Sequence, residues 1–436
     1  MARAESTRLF DAATGRARTP RQERSAQRQR LIAEAAISVI AEQGLASLTH
    51  RLVAGRAGVS LAATTYYYKT KADIIADASA QLLRGYIEAF RTFADRHRDA
   101  RVSFYEFVIR ALTRAAGKHR VGTLAWCEIM LDAARHDETR ALARTWFDRL
   151  FEIWGDIATA LGVEEPTEVA RSAIDIVMGL QLVVLPLGLM ESQVIAVLRS
   201  GIDPGGVWKP RGSARSGAAL PQAARAPRKA DRTREIILSA AVSLLIAEGA
   251  TGVTYRAIAK HAGLTPAAPT YYYPSIASLL QAAQLRLFES AKDRYRLVMA
   301  GVDPAALDVE RLADLTATVF LREATQFAGL SLAGYPVRLE AARDPALRPT
   351  LWDVIDDQNR AWGRLLRPLS EHPRALDPLL IQSLFAGKLL RVLATGASTM
   401  DLTSTRREFL YDLRAVAQGR HWTVVAPKVV RNIKKR

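Results

Sequence analysis

Two stretches decide how the chain folds: THRLVAGRAGVSLAATTYYYKTK at residues 49–71 and TYRAIAKHAGLTPAAPTYYYPSI at residues 254–276. They align without a gap at a shift of 205 residues, pairing Thr49 with Thr254, Arg51 with Arg256, Gly58 with Gly263, and Tyr66-Tyr67-Tyr68 with Tyr271-Tyr272-Tyr273. Upstream, Leu31, Ile32, Ala35, Ala36, Val39, Ile40 and Gly44 return as Ile236, Ile237, Ala240, Ala241, Leu244, Leu245 and Gly249. Downstream, the run Leu131 to Arg135 returns as Leu339 to Arg343 at a shift of 208, and Gly179 maps to Gly387. Self-similarity over about 200 residues at a near-constant period means a duplicated domain unit, not a repeated motif.

Within each copy the apolar residues from Leu31 to Ile40 recur at helical spacing, and Gly44 marks a stop. Thr49 is placed to cap a short helix through Arg51, Val53 and Ala54 that ends near Gly58, where a tight turn needs positive φ. Ser60 caps a second short helix through Tyr67, and Thr70 caps a longer one from Lys71. Two short helices across a glycine turn, behind a support helix, make a helix-turn-helix whose second helix is sized for the major groove.

The segment Thr49 to Lys71, with Ala57-Gly58-Val59-Ser60 and the tyrosine triplet at their spacing, resembles the N-terminal domain of tetracycline-repressor-type (TetR) regulators, and its counterpart does too. The resemblance implies an all-α fold: a tandem duplication of a helix-turn-helix domain, each followed by a helical domain that dimerises and encloses a small-molecule pocket. It also implies a bacterial transcriptional regulator and, since most relatives act by occluding promoters, a repressor. Residue by residue it implies that Thr49 and Arg51 touch phosphates and that Ala62, Thr65 and Tyr66 face the groove. The resemblance further implies that Tyr67 and Lys71 lie on phosphates and that Tyr68 is the buried aromatic. The chemistry is coherent, since Ala or a Thr methyl packs on a thymine methyl and a Thr hydroxyl bonds a base edge. With no Arg, Asn or Gln on that helix, DNA shape carries more of the readout. Three adjacent tyrosines on a helix cannot share one buried face.

The second copy departs at Pro266, Pro269, Pro274 and Ile276, which replace Leu61, Thr64, Lys69 and Lys71. Pro266, directly after a Thr265 cap, takes a favoured first helical position, whereas Pro269 falls about a turn in, where a backbone donor is needed. A short or distorted recognition helix is expected, with Arg228, Lys229, Arg232 and Arg234 compensating for the lost lysines. Thr254, Arg256, Ala267, Thr270, Tyr271 and Tyr272 keep the matching types, which predicts a second module with a different half-site preference. The alternative is a support module whose DNA binding has decayed.

Of the net charge of +17, residues 1–30, 205–234 and 413–436 hold +5, +7 and +7, so the remainder is slightly acidic. The basic excess sits in segments that pack against nothing and are suited to neutralising phosphates. The expected organisation is a basic flexible tail at 1–29, helix-turn-helix domains at 30–76 and 230–281, helical regulatory domains at 77–203 and 282–418, a Pro/Gly-rich linker at 204–229, and a basic tail at 419–436. The single cysteine, Cys127, reads as a core residue. The apolar run Leu180 to Met190 is too short to span a bilayer, which takes roughly 20 residues, and the N-terminus lacks an export signal. A cytoplasmic, nucleoid-associated protein is expected.

In the regulatory halves, amphipathic helices are expected at Leu142 to Leu161 and Val169 to Leu185, with counterparts at Leu347 to Leu366 and Leu379 to Leu393. These pairs are suited to a four-helix interface within one chain, giving an intrachain pseudo-dimer that reads two half-sites about one helical turn (~34 Å) or more apart on an imperfect palindrome. Further self-association of whole chains is left open. Pocket candidates for a small-molecule effector are Phe104, Phe107, Trp126, Met130 and Met178, with Phe327 and Tyr335 in the second half. Each competes with plain core packing. The seven histidines lack metal-ligand spacing, and no phosphate loop or Ser/His/Asp set stands out, so no enzyme, metal or cofactor is expected. The competing class is a ligand- or protein-binding decoy with degenerate DNA binding.

Overall fold

The computed structural model describes residues 20–97, 102–200, 229–303 and 306–420, and every regular element among them is helical. The first copy comprises α1 (Pro20–Gln43), α2 (His50–Ala57), α3 (Leu61–Tyr67), α4 (Lys71–Arg96), α5 (Phe104–Ala116), α6 (Arg120–Ala133), α7 (Asp137–Ala160), α8 (Pro166–Val184) and α9 (Glu191–Ser200). The second repeats the order with α10 (Lys229–Glu248), α11 (Tyr255–Ala262), α12 (Ala268–Tyr272), α13 (Ile276–Met299), α14 (Val309–Thr325), α15 (Ala328–Arg343), α16 (Arg348–Leu366), α17 (Asp377–Thr395) and α18 (Thr399–Ala417).

One expected boundary changes, and two others lie within helices. α1 begins at Pro20, inside the stretch expected to be a tail, because Arg, Gln and Glu there are good helix formers even without an apolar stripe. The cuts expected at 76/77 and 281/282 fall inside α4 and α13, each of which runs unbroken from the helix-turn-helix into the helices that follow it. The basic runs at 1–19, 204–228 and 421–436 lie outside the described residues.

The two copies meet where α8 crosses α17. A Cβ added to Gly179 would stand 1.9 Å from the Ser383 carbonyl oxygen, and one added to Gly387 would stand 1.8 Å from that of Asp175. The backbones therefore touch directly, as only glycine permits. At the 208 shift Gly179 matches Gly387 and Asp175 matches Ser383, so each contact is answered by its counterpart, the signature of a local two-fold. Helices α7 and α16 flank the crossing and complete a four-helix bundle. By length and composition α17 is apolar enough to cross a membrane, but 83% of that stretch is buried inside the protein.

The charges at the crossing break the symmetry. Arg391 holds Asp175 through Nε–Oδ1 and Nη2–Oδ2 at 2.7 and 3.0 Å, with both side chains almost fully buried. Beside them Glu408 receives Lys388 and, at 3.2 Å, Arg171, while Ser172 donates to Asp412. The counterparts of Asp175, Arg391 and Lys388 are Ser383, Val183 and Leu180, so pairing either copy with itself would leave a buried charge unanswered. Arg391→Met should therefore cost about 3–5 kcal/mol in urea unfolding, and adding Asp175→Leu should recover most of it. A double variant no more stable than the single would remove the pair from this role.

Burial pushes the Glu408 carboxyl up, but Lys388, Ser404 and Arg391 outweigh it and hold its pKa down to about 2, below the ordinary 4.5. A depressed folded-state pKa means stability that is present above the ordinary carboxylate range and lost as pH falls toward 2. The stability gap between the wild type and Glu408→Gln, measured in urea, should narrow steadily from pH 4.5 downward; a constant gap would contradict this assignment.

Candidate nucleic-acid interface

The first helix-turn-helix is built by its caps. Thr49 Oγ1 accepts the Leu52 N–H at 3.2 Å and Ser60 Oγ that of Ala63 at 3.1 Å, so each short helix starts where the sequence places it. Gly58 turns the chain between them at φ 66°, and Gly263 repeats the turn at φ 63°. Thr70 closes a capping box with Asp73, and Ser275 closes one with Ser278. Buried Thr64 and Tyr68 hold α3 down: the Tyr68 hydroxyl donates to Asp77 at 2.5 Å, and the Tyr68 carbonyl meets the His50 ring at 3.0 Å. In the second copy the Tyr255 hydroxyl takes over, donating to the Tyr273 carbonyl at 2.8 Å.

With that face pinned, Ala62, Thr65 and Tyr66 point outward together, as do Ala267, Thr270 and Tyr271. Tyr66 is 79% exposed and Tyr271 83%, which for a tyrosine leaves an aromatic face and a hydroxyl free for a partner. Tyr67 and Tyr272 are half-buried and stand edge-on to their neighbours at 5.2 and 5.1 Å, the same arrangement twice. Thr49, Arg51, Thr254 and Arg256 are exposed at the starts of α2 and α11.

Three placements differ from the sequence reading. Lys71 turns inward, Nζ donating to the Ala46 carbonyl at 3.2 Å with burial pushing its pKa down, because its helix starts over the α1–α2 connection. Lys69 is the exposed cation at this point of the chain. Thr265 does not cap α12, which starts at Ala268 and has five residues against seven in α3. The cause is Pro269: its counterpart Thr64 donates its N–H to the Ser60 carbonyl at 3.2 Å, and proline has no N–H to give. The third is the start of α1, which carries exposed Arg21, Arg24, Arg28 and Arg30 on a helix, with Ser25 Oγ donating to the Tyr67 hydroxyl at 3.3 Å. Only their charge was legible beforehand, since no apolar stripe marked that helix. α10 brings exposed Arg232 and Arg234 in the same way, Arg234 lying over the Tyr272 ring at 5.9 Å.

The first helix-turn-helix part is also tied to the opposite copy, and the regulatory domains to each other. Arg343, at the end of α15, donates to the Ala41 and Ile40 carbonyls at the end of α1, at 2.8 and 3.2 Å, and to Glu128 at 2.7 Å. A cation on the last carbonyls of a helix complements its dipole. Its counterpart Arg135 donates to the Leu332 carbonyl at 3.4 Å.

Of the pocket candidates, Phe107 lines a cavity of about 230 Å³ enclosed by α4, α5 and α6. Phe104, Trp126, Met130, Met178 and Tyr335 are buried in side-chain packing away from it, Trp126 against Trp146 at 5.8 Å. Phe327 covers Arg294 at 4.8 Å. The other cavity residues were missed because only contact between helices reveals them; the traces in sequence are Tyr86 and Phe90 at helical spacing, and Arg110, Arg114 and Lys118 likewise.

Comparison with known proteins agrees with this architecture. The family described as "Bacterial regulatory proteins, tetR family" matches residues 32–78 and again 237–283. The family described as "Tetracyclin repressor-like, C-terminal domain" matches residues 99–203 and again 307–416. No curated protein matches the chain. Among solved structures, a TetR-family member from Streptomyces coelicolor A3 is 27% identical over 40% of this chain and 96% of that one, with a TM-score of 0.33. The chain therefore belongs to the TetR family of DNA-binding transcriptional regulators, and carries that family's N-terminal and C-terminal domains twice each.

Proposed function

We propose that this chain is a cytoplasmic repressor, not an enzyme, that occupies an imperfectly palindromic operator as a single-chain pseudo-dimer and is released by a small-molecule effector. The observation that carries the reading is the pair of outward faces, Ala62-Thr65-Tyr66 and Ala267-Thr270-Tyr271, each held by a buried tyrosine two residues after the exposed one. Thr49, Arg51 and Tyr67, with Thr254, Arg256 and Tyr272, flank these faces and are assigned to phosphates. Lys71 contributes through the fold of its domain. The unequal lengths of α3 and α12 call for unequal half-sites. α4 and α13 supply the linkage to an effector: each carries a helix-turn-helix core at one end and regulatory-domain packing at the other, so a shift in one reorients the other.

Titration of the purified chain on its own upstream DNA by gel shift, at two salt concentrations, tests this. Tyr66→Ala and Tyr271→Ala should each weaken selective retention about tenfold or more, since base contacts are worth roughly 1–3 kcal/mol. Retention should fall steeply with salt. Loss through Tyr66 alone would make the second head a support, and absence of selective binding would favour the decoy reading.

A further inference from the structure

The two regulatory domains are not equivalent at the place where the first has its cavity. In the first copy Ala89 of α4 and Ala115 of α5 line the wall and leave it open. Their counterparts, at the 205 shift of α4 and the 208 shift of α5, are Arg294 and Glu323. These form a two-pronged ion pair, Nε–Oε1 and Nη2–Oε2 both at 2.7 Å, with side chains only 11% and 2% exposed. Ser331 donates to Glu323 at 2.5 Å and the Phe327 ring lies over Arg294 at 4.8 Å. A satisfied internal ion pair thus stands where the first copy has space.

The open cavity has a distinct chemistry. Its floor is aromatic, with Tyr86, Phe90, Phe93 and Phe107. Its mouth carries Arg114 and Lys118, both exposed and without a carboxylate in ion-pair distance among the described residues, while Arg110 is occupied by Glu106 at 3.2 Å. The positions matching Arg110, Lys118 and His119 are Thr318, Gln326 and Phe327, while that of Arg114 keeps a cation as Arg322, so the paired cations Arg114 and Lys118 occur together in the first copy only. The volume of about 230 Å³ exceeds the roughly 150 Å³ apolar cavity that accepts benzene, and leaves room for one ring or a short chain plus a polar head.

We propose that the first copy alone is the sensor, one site per chain, and that it takes a small organic carboxylate with an apolar body, its ring or chain against the aromatic floor and its carboxylate at Arg114 and Lys118. This rests on the reading of the chain as an effector-controlled regulator, and names the effector's class. The second copy uses its own carboxylate and guanidinium in place of a ligand.

Isothermal titration of the full chain with phenylacetate, 4-hydroxybenzoate and octanoate, against phenylacetamide and octanamide, tests the site without DNA. At least one carboxylate should bind at one equivalent per chain, and at least tenfold more tightly than its amide. Grafting the second copy's pair as Ala89→Arg/Ala115→Glu, with helix content checked by circular dichroism, should abolish binding. The exposed pair variant Arg114→Ala/Lys118→Ala should weaken it tenfold or more without burdening the core. Two equivalents per chain, equal binding of the amides, unchanged binding in either variant, or no carboxylate binding at all would overturn the proposal. Addition of the binding carboxylate to a gel shift separates the two readings: binding that leaves DNA retention unchanged upholds the site and counts against release by an effector.

Discussion

Everything in this chain hangs on the contact of α8 with α17, where Gly179 and Gly387 bring two backbones together with no side chain between them. So close a crossing fixes the distance and angle between the copies, because any added atom meets a carbonyl oxygen. It also explains why the interface keeps local two-fold symmetry after the side chains around it have diverged. Contacts farther out follow the same arrangement, with Arg343 on the end of α1 and Arg135 reaching the opposite copy in turn.

Divergence has gone furthest where a duplicated chain can divide its tasks. At the crossing, the Asp175–Arg391 pair replaces what symmetry would make Ser/Val contacts, so the interface recognises unlike partners. Buried pairs of this kind add little net stability over apolar side chains but penalise wrong pairings heavily. In the helix-turn-helix units, Thr64 against Pro269 makes α12 shorter than α3. In the regulatory domains, Ala89 and Ala115 against Arg294 and Glu323 separate an open cavity from a filled one. A homodimer cannot make such distinctions, since each change appears on both sides.

The fold was legible in sequence to the extent that local chemistry dictates it. Caps at Thr49, Ser60 and Thr70, glycine turns at Gly58 and Gly263, and a repeat at constant spacing are local signals, and each sits where it was read. The exposed face of α3 follows from the same periodicity once Tyr68 is taken as buried. What the sequence did not reveal lies in contacts and turns that residue types alone do not settle. Lys71 turns to a carbonyl of the preceding connection, Thr265 loses its capping role because Pro269 cannot close the turn, and the helical start of α1 carries no apolar stripe. The cavity was missed for the same reason: aromatic residues at helical spacing look alike whether they pack or line a space, and Phe104 and Phe107, three apart on α5, fall on opposite sides of that division.

The central claim is that one chain supplies both reading heads to one operator. Sedimentation or native mass measurement of the complex between the full chain and the DNA fragment it retains counts the chains directly. One chain per fragment, on a footprint with two unequal half-sites, is the predicted result. Two chains on a strictly symmetric footprint would contradict it.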